Sequence, residues 1–217
     1  MGLFGRSEQS AKGAGKRRSS EDRKHPSTFD ALIVGLGNPG RQYERTRHNV
    51  GEEVVALLAE RHHTNLAAGR DSALVGDVRI GTKRVILAFP TTFMNESGKA
   101  VAKLIRRHGF DGVAGLIVIH DELDLPPGTV RVKVGGGLGG HNGLRSITAT
   151  TGTQDYIRVR IGVGKPSNKE QGANHVLSRV PAEERKILDV AVQLAADAVE
   201  SILANGVDAA MNSFNSR

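Results

Sequence analysis

Ala31-Leu32-Ile33-Val34-Gly35-Leu36-Gly37-Asn38-Pro39-Gly40, followed after a short polar stretch by Thr46-Arg47-His48-Asn49, decides the fold. Four apolar residues in a row ending on a glycine read as a strand buried on both faces. The stretch Arg41 to Arg47 is too polar to continue it and reads as a loop. Asn49 suits a helix N-cap, and Glu52 three residues later completes a capping-box pattern. A helix is therefore predicted from Val50 to about Arg61, with Val50, Val54, Leu57 and Leu58 on one side. Strand, glycine loop and helix make the unit of an open α/β sheet, whose ligands meet the protein at the carboxyl ends of strands.

The alternation continues outward. Strands are predicted near Ser72–Ile80 and Arg84–Phe89, joined by a turn at Gly81-Thr82, and a helix over Gly98–His108. Leu116-Ile117-Val118-Ile119 reads as another buried strand that ends at His120-Asp121. Val130 to Val134 alternates apolar and basic residues, a half-exposed strand with Arg131 and Lys133 facing out. After the glycines Gly135 to Gly140, a helix follows from about Gly143 to Ala149, with Asn142 as its cap. Tyr156 to Ile161 alternates again and places Arg158 and Arg160 on one face. Ile187, Ala191, Leu194, Ala198 and Ile202 form a helical stripe that Asn205-Gly206 ends as a left-handed cap. Val207, Ala210, Met211 and Phe214 give a last short helix. The pattern implies a mixed, twisted α/β sheet with helices on both faces, in one domain spanning residues 30–217.

Composition narrows the function. The chain has 217 residues and 38% hydrophobic content, enough for one well-buried domain. The absence of cysteine excludes disulfides, thiolate nucleophiles and Cys-ligated zinc. No apolar run approaches the ~18 residues of a membrane span, and no leader-type apolar segment opens the chain, so the reading is a soluble cytoplasmic protein. Six Phe, two Tyr and no Trp are too few for a base-stacking platform. Of the net charge of +7, residues 1–29 supply +4, from seven basic and three acidic groups. That segment lacks apolar periodicity and is expected to be a disordered basic tail. A solvated tail and a nucleic-acid-binding arm are both open readings of it.

The motifs divide along chemical lines. Gly35-x-Gly37-x-x-Gly40 fits a dinucleotide fingerprint only in its glycines: no helix opens at the turn, and no acidic residue ends a following strand at the right distance. His48, next to a helix start, suits a general base, because the positive end of the helix favours neutral imidazole. Asp121 is its natural orienting partner, although a structural histidine is the alternative. His120-Asp121-Glu122-Leu123-Asp124 offers no metal-ligand spacing. Asp121 is read as the working carboxylate, and the other acids as solvated or capping. No Gly-x-Ser-x-Gly elbow and no Gly-Lys-Ser/Thr ending is present. Lys133 and Arg160 flank the glycine loop and can form a two-point phosphate clamp or an ordinary solvated strand face.

Taken together, the ordered motifs closely resemble the bacterial peptidyl-tRNA hydrolase family. They are Gly35 to Gly40 with Tyr43, Thr46-Arg47-His48-Asn49-x-Gly51, Pro90-Thr91-Thr92-Phe93-Met94-Asn95, His120 to Gly128, and Gly139-Gly140-His141-Asn142-Gly143-Leu144. The resemblance, over roughly Ala31 to Phe214, implies a monomeric three-layer α/β/α fold that hydrolyses the ester between peptide and tRNA without metal or cofactor. It implies His48 as the base that activates water, oriented by Asp121, with Asn38 and Asn95 binding the peptide end and the reacting ester. Tyr43, Phe93, Met94, Gly140, His141 and Asn142 are then cleft residues, and Lys133 and Arg160 the clamp on the tRNA 5′ phosphate; whether Arg158 replaces Arg160 there is open. A noncatalytic RNA-binding module and a sugar- or nucleotide-phosphate enzyme are the other classes consistent with the basic clamp and glycine loop.

Overall fold

The computed structural model describes residues 1, 27–166, 168 and 171–216. Most of the expected tail lies outside the described residues. Phe29, which composition leaves in that tail, instead packs against the core, edge-on to His108 and beneath the Arg84 guanidinium.

The apolar run forms β1 (Ala31–Gly35), buried throughout. It is followed by α1 (Val50–Arg61), β2 (Ala67–Ala68), β3 (Ala73–Ile80), β4 (Lys83–Pro90), α2 (Ser97–Arg107), β5 (Leu116–Glu122) and β6 (Val130–Val134). Then come α3 (Asn142–Thr151), β7 (Ile157–Gly162), α4 (Gly172–Leu177), α5 (Ala182–Asn205) and α6 (Val207–Asn215). The strands make one seven-stranded sheet in the order β2-β3-β4-β1-β5-β7-β6. β4, β1, β5 and β7 run parallel, while β3 and β6 are antiparallel to their neighbours. Both faces are covered, as expected for parallel strands. Ile33, Leu87, Ile117 and Ile119 pack toward α1, α5 and α6, and Leu32, Val34, Ile86 and Val118 toward α2 and α3. The outer edge of β6 is closed by Asn215, whose amide both donates to and accepts from the Val132 backbone.

Four local expectations change. Asn49 does not cap α1 with its side chain; the amide is drawn instead to the backbone of Asn38, a tertiary partner that outcompetes the local one. Asn142 is the first residue of α3, and its cap is His141, whose ring accepts from Gly143 and Leu144 N–H. On α5 Ala191, Ala198 and Ile202 are buried as expected and Leu188, Val192, Ala195 and Val199 widen the stripe, but Ile187 is 48% exposed and lies outside it. Gly206 has φ 85° and ψ 165°, an extended positive-φ conformation in place of the left-handed helical cap.

The layers meet closely where β1 passes α1. A Cβ on Gly35 would lie 2.1 Å from the Gly51 carbonyl oxygen, and one on Gly51 would lie 2.3 Å from that of Ile119. Only glycine at both positions lets helix and strands approach so far.

Candidate active site

Above the carboxyl ends of β1, β4 and β5 opens a cleft of about 600 Å³, as the strand topology requires. Asn38, His48, Phe93, Met94, Asn95, Asp121, Gly140, His141 and Asn142 all line it. The fold thus brings together nine of the candidates from five separate motifs. Tyr43, half-buried in the turn after β1, is not among the lining residues, and neither are Lys133 and Arg160.

β5 is three residues longer than its apolar run. It continues through His120, Asp121 and Glu122, in register with Arg160, Ile161 and Gly162 of β7. Asp121 is therefore held by a central strand and not by a loop. Its Oδ1 lies 2.9 Å from His48 Nδ1 and 2.9 Å from His141 Nε2. The two bonds fix both imidazoles. His141 Nδ1 accepts the α3 amides, so its proton sits on Nε2 and is donated to Asp121. His48 donates from Nδ1, which leaves the Nε2 lone pair free for the cleft.

Electrostatics follow from burial and this contact. Burial pushes His48 toward its neutral form, but the Asp121 charge and hydrogen bond outweigh it, and the pKa is raised. Burial alone would raise the Asp121 pKa; the two histidines reverse this and hold the carboxyl well below the usual carboxylate range. The helix-end argument for a lowered His48 pKa thus loses to the carboxylate. His120, beside them, is 1% exposed and pushed down to about 3, chiefly by burial. Its Nδ1 donates to the Asp121 carbonyl at 2.7 Å, while its Nε2 has no hydrogen-bonding partner among the described residues.

The turn that carries His48 is clamped from below. Buried Arg47 makes a two-point contact with Glu184 of α5, 2.6 Å on each arm, and donates to the His175 carbonyl of α4. On the opposite wall, Asn38 Oδ1 accepts the Met94 N–H at 2.8 Å. That bond turns the Asn38 NH2 toward the cleft as a donor. Asn142 Oδ1 is occupied by Arg145, so its NH2 is likewise the available end. Asn95 stands exposed at the rim beside Phe93, which is 54% exposed.

His48, Asp121 and His141 are close enough together to raise the question of a metal. Their facing atoms are already paired through one carboxylate oxygen, and the His141 nitrogen involved bears its proton, so the donor set does not fit a cation.

The basic strands sort into two roles. Arg158, 2% exposed, donates to the carbonyls of Gly136 and Gly137, so it braces the glycine run from beneath. Arg160 remains accessible at 23% of its side chain and pairs with Glu122. Lys133 lies directly opposite Arg158, hence diagonal to Arg160 on the same face. Its ammonium end folds over Gly136, where a Cβ would stand only 2.5 Å away. Glu122, read from sequence as a solvated or capping acid, is instead 8% exposed and lines the cleft. Gly172, Ala173, Val176 and Leu177 of α4 form a wall that the sequence reading missed. Its only signal was the Val176-Leu177 pair in a polar stretch.

The profile of the peptidyl-tRNA hydrolase family matches residues 32–217. The chain belongs to that family. It is 50% identical over 191 residues to a peptidyl-tRNA hydrolase of Nocardia farcinica, covering 88% of this chain and 98% of that relative. To that of Rhodococcus erythropolis it is 50% identical over 187 residues, 86% and 98% of the two lengths. A crystal structure of peptidyl-tRNA hydrolase from Acinetobacter baumannii superposes with a TM-score of 0.82 at 38% identity, over 88% of this chain and 97% of that one. The three-layer α/β/α architecture expected of a family member is the one described above.

Proposed function

We propose that this chain hydrolyses the ester joining a peptide to the terminal ribose of tRNA, with water activated by His48. The observation that carries the reading is the 2.9 Å bond from His48 Nδ1 to a buried, ionised Asp121 in a cleft lined by amides. His48 Nε2 takes a proton from water as the water oxygen bonds to the ester carbonyl carbon. Asp121 stabilises the resulting imidazolium without accepting its proton. The NH2 groups of Asn38 and Asn95, both lining the cleft, would donate to the carbonyl oxygen as it gains charge. The bond to the ribose oxygen then breaks, and the imidazolium returns the proton to that oxygen. An ester has a good enough leaving group for this sequence to need no covalent enzyme intermediate.

Lys133 and Arg160 would hold the 5′ phosphate that ends the acceptor stem, outside the cleft but on the strands that border its glycine wall. Every residue invoked comes from one chain, so a monomer suffices, and the substrate places the enzyme in the cytoplasm. No described helix is long and apolar enough to cross a membrane.

The test is release of free tRNA from an N-acetylated aminoacyl-tRNA by the purified protein. His48→Ala should lower turnover ~10²–10⁴-fold while tRNA binding stays near normal. Turnover near wild type in that variant removes His48 from the mechanism, and no release by the wild type removes the activity.

A further inference from the structure

The cleft wall formed by α4 has little support of its own. Six residues are too few for a helix to persist alone, and of these only Val176 is buried. Yet Gly172, Ala173, Val176 and Leu177 all line the cleft. Among the named elements, α4 packs chiefly on the turn Arg47–Asn49, and its polar ties gather on one side chain of that turn. Arg47 Nη1 donates to the His175 carbonyl at 3.0 Å and reaches Ser178 Oγ at 3.4 Å, so it meets both the helix and the residue that ends it. Its other edge, Nε and Nη2, is held by the two oxygens of Glu184 in the first turn of α5. Further support comes from the bond between His175 Nε2 and the Val163 carbonyl and, just past the helix, from the backbone bridge Thr46–Arg179. Neither Arg47 nor Glu184 lines the cleft.

The base has ties that bypass this guanidinium. His48 is fixed by Asp121, Asn49 by the Asn38 backbone, and the Thr46 hydroxyl donates to the Tyr43 carbonyl. We propose that Arg47 is a positioning residue for the wall: it carries the position of α5, through Glu184, to α4, and so sets how well the cleft binds substrate; this rests on the hydrolase reading given above. A guanidinium suits the task because one rigid planar group offers two donors to a carboxylate and a third to a carbonyl. A lysine ammonium has the same charge without that fixed fork.

The experiment measures steady-state hydrolysis of N-acetylated aminoacyl-tRNA by wild type, Arg47→Lys, Glu184→Gln and the double variant, with amide exchange followed by mass spectrometry. Arg47→Lys should raise KM about tenfold, the worth of one hydrogen bond, and leave kcat within about twofold. The pH inflection of kcat should not move, because His48 and Asp121 keep their contact. Amides of residues 176–178 should exchange faster and those of α1 should not. Glu184→Gln should raise KM in the same direction, and the double variant should be no worse than the poorer single one, as expected of residues that act in series. A fall in kcat at unchanged KM would assign Arg47 to the base and overturn the proposal. Unchanged KM and exchange in a folded Arg47→Lys would overturn it too, and additive effects of the two substitutions would overturn the route through Glu184. An inactive wild type would refute the hydrolase reading, while the exchange pattern still decides the part that Arg47 plays in the wall.

Discussion

The side chain of Asn49 holds the backbone of Asn38 at both ends: Oδ1 accepts the Asn38 N–H at 2.9 Å, and Nδ2 donates to the Asn38 carbonyl at 2.9 Å. One buried amide thus substitutes for a strand partner where the chain has left the sheet. Asn49→Ala leaves both backbone groups of a buried residue unpaired and should cost about 1–3 kcal/mol of stability, measured by urea unfolding. Turnover should fall as well, because Asn38 loses the pose in which its own amide meets Met94. Full stability with full activity in this variant would show that the Asn38 loop holds itself.

Asp121→Asn should change both the height and the position of the pH–rate profile. In wild type the base is active only when deprotonated, so the rate rises through a pKa raised above the ordinary 6.5 of histidine. The variant keeps the burial and loses the charge that opposed it, so its inflection should move to lower pH while the plateau drops. Stability carries the same sign. A raised histidine pKa contributes stability that is fully present below 6.5 and is lost as pH rises through the folded value. Wild type should therefore lose this increment toward alkaline pH, and Asp121→Asn should not. An inflection that stays in place would mean that Asp121 does not govern the charge on His48.

His120 makes an opposite, acid-side prediction. Its folded pKa of about 3 against an ordinary 6.5 means that the unfolded chain binds an extra proton between those limits. Stability is full above 6.5 and falls as pH drops, by up to ~1.4 kcal/mol per pH unit. His120→Asn, whose amide nitrogen can stand where Nδ1 stands, should be close to wild type in stability at pH 7.5 and less acid-sensitive at pH 4–5. Parallel stability curves for the two proteins across that range would locate the acid sensitivity elsewhere.

Lys133→Ala tests the exposed half of the clamp. Removing one phosphate contact should weaken binding of 5′-phosphorylated tRNA and flatten its salt dependence by about one counterion. Hydrolysis of a minimal ester substrate without that phosphate should be unaffected, since Lys133 does not line the cleft. Equal losses on both substrates would count against a phosphate contact.

Much of this site is legible in the sequence because the residues that build it stand where a regular pattern stops. Asn38 follows the glycine that ends β1, His48 precedes the first apolar residue of α1, and Asp121 follows the apolar run of β5. What stays hidden depends on partners far along the chain. Asn49 carries every local mark of a cap, and its preference for Asn38 appears only once the loop folds back over it. Glu122 is one of three acids in five residues, and nothing local distinguishes the one that Arg160 will reach across the sheet. Arg158 and Arg160 occupy the same alternation with the same chemistry. The glycine run lies over one of them, and that decides which is brace and which is available. α4 has too few apolar residues to announce itself as a wall.

The meeting of Gly35 and Gly51 sets more than the packing of a helix on a strand. His48 lies three residues before Gly51, and Asp121 lies on the strand beside β1, two residues beyond the Ile119 carbonyl that Gly51 touches. The separation of base and carboxylate is therefore gauged by how far α1 can sink onto the sheet. A methyl group at either glycine would lift the helix and carry the imidazole away from its oxygen, with both residues of the pair unchanged. The reach of the base is measured out by two hydrogens.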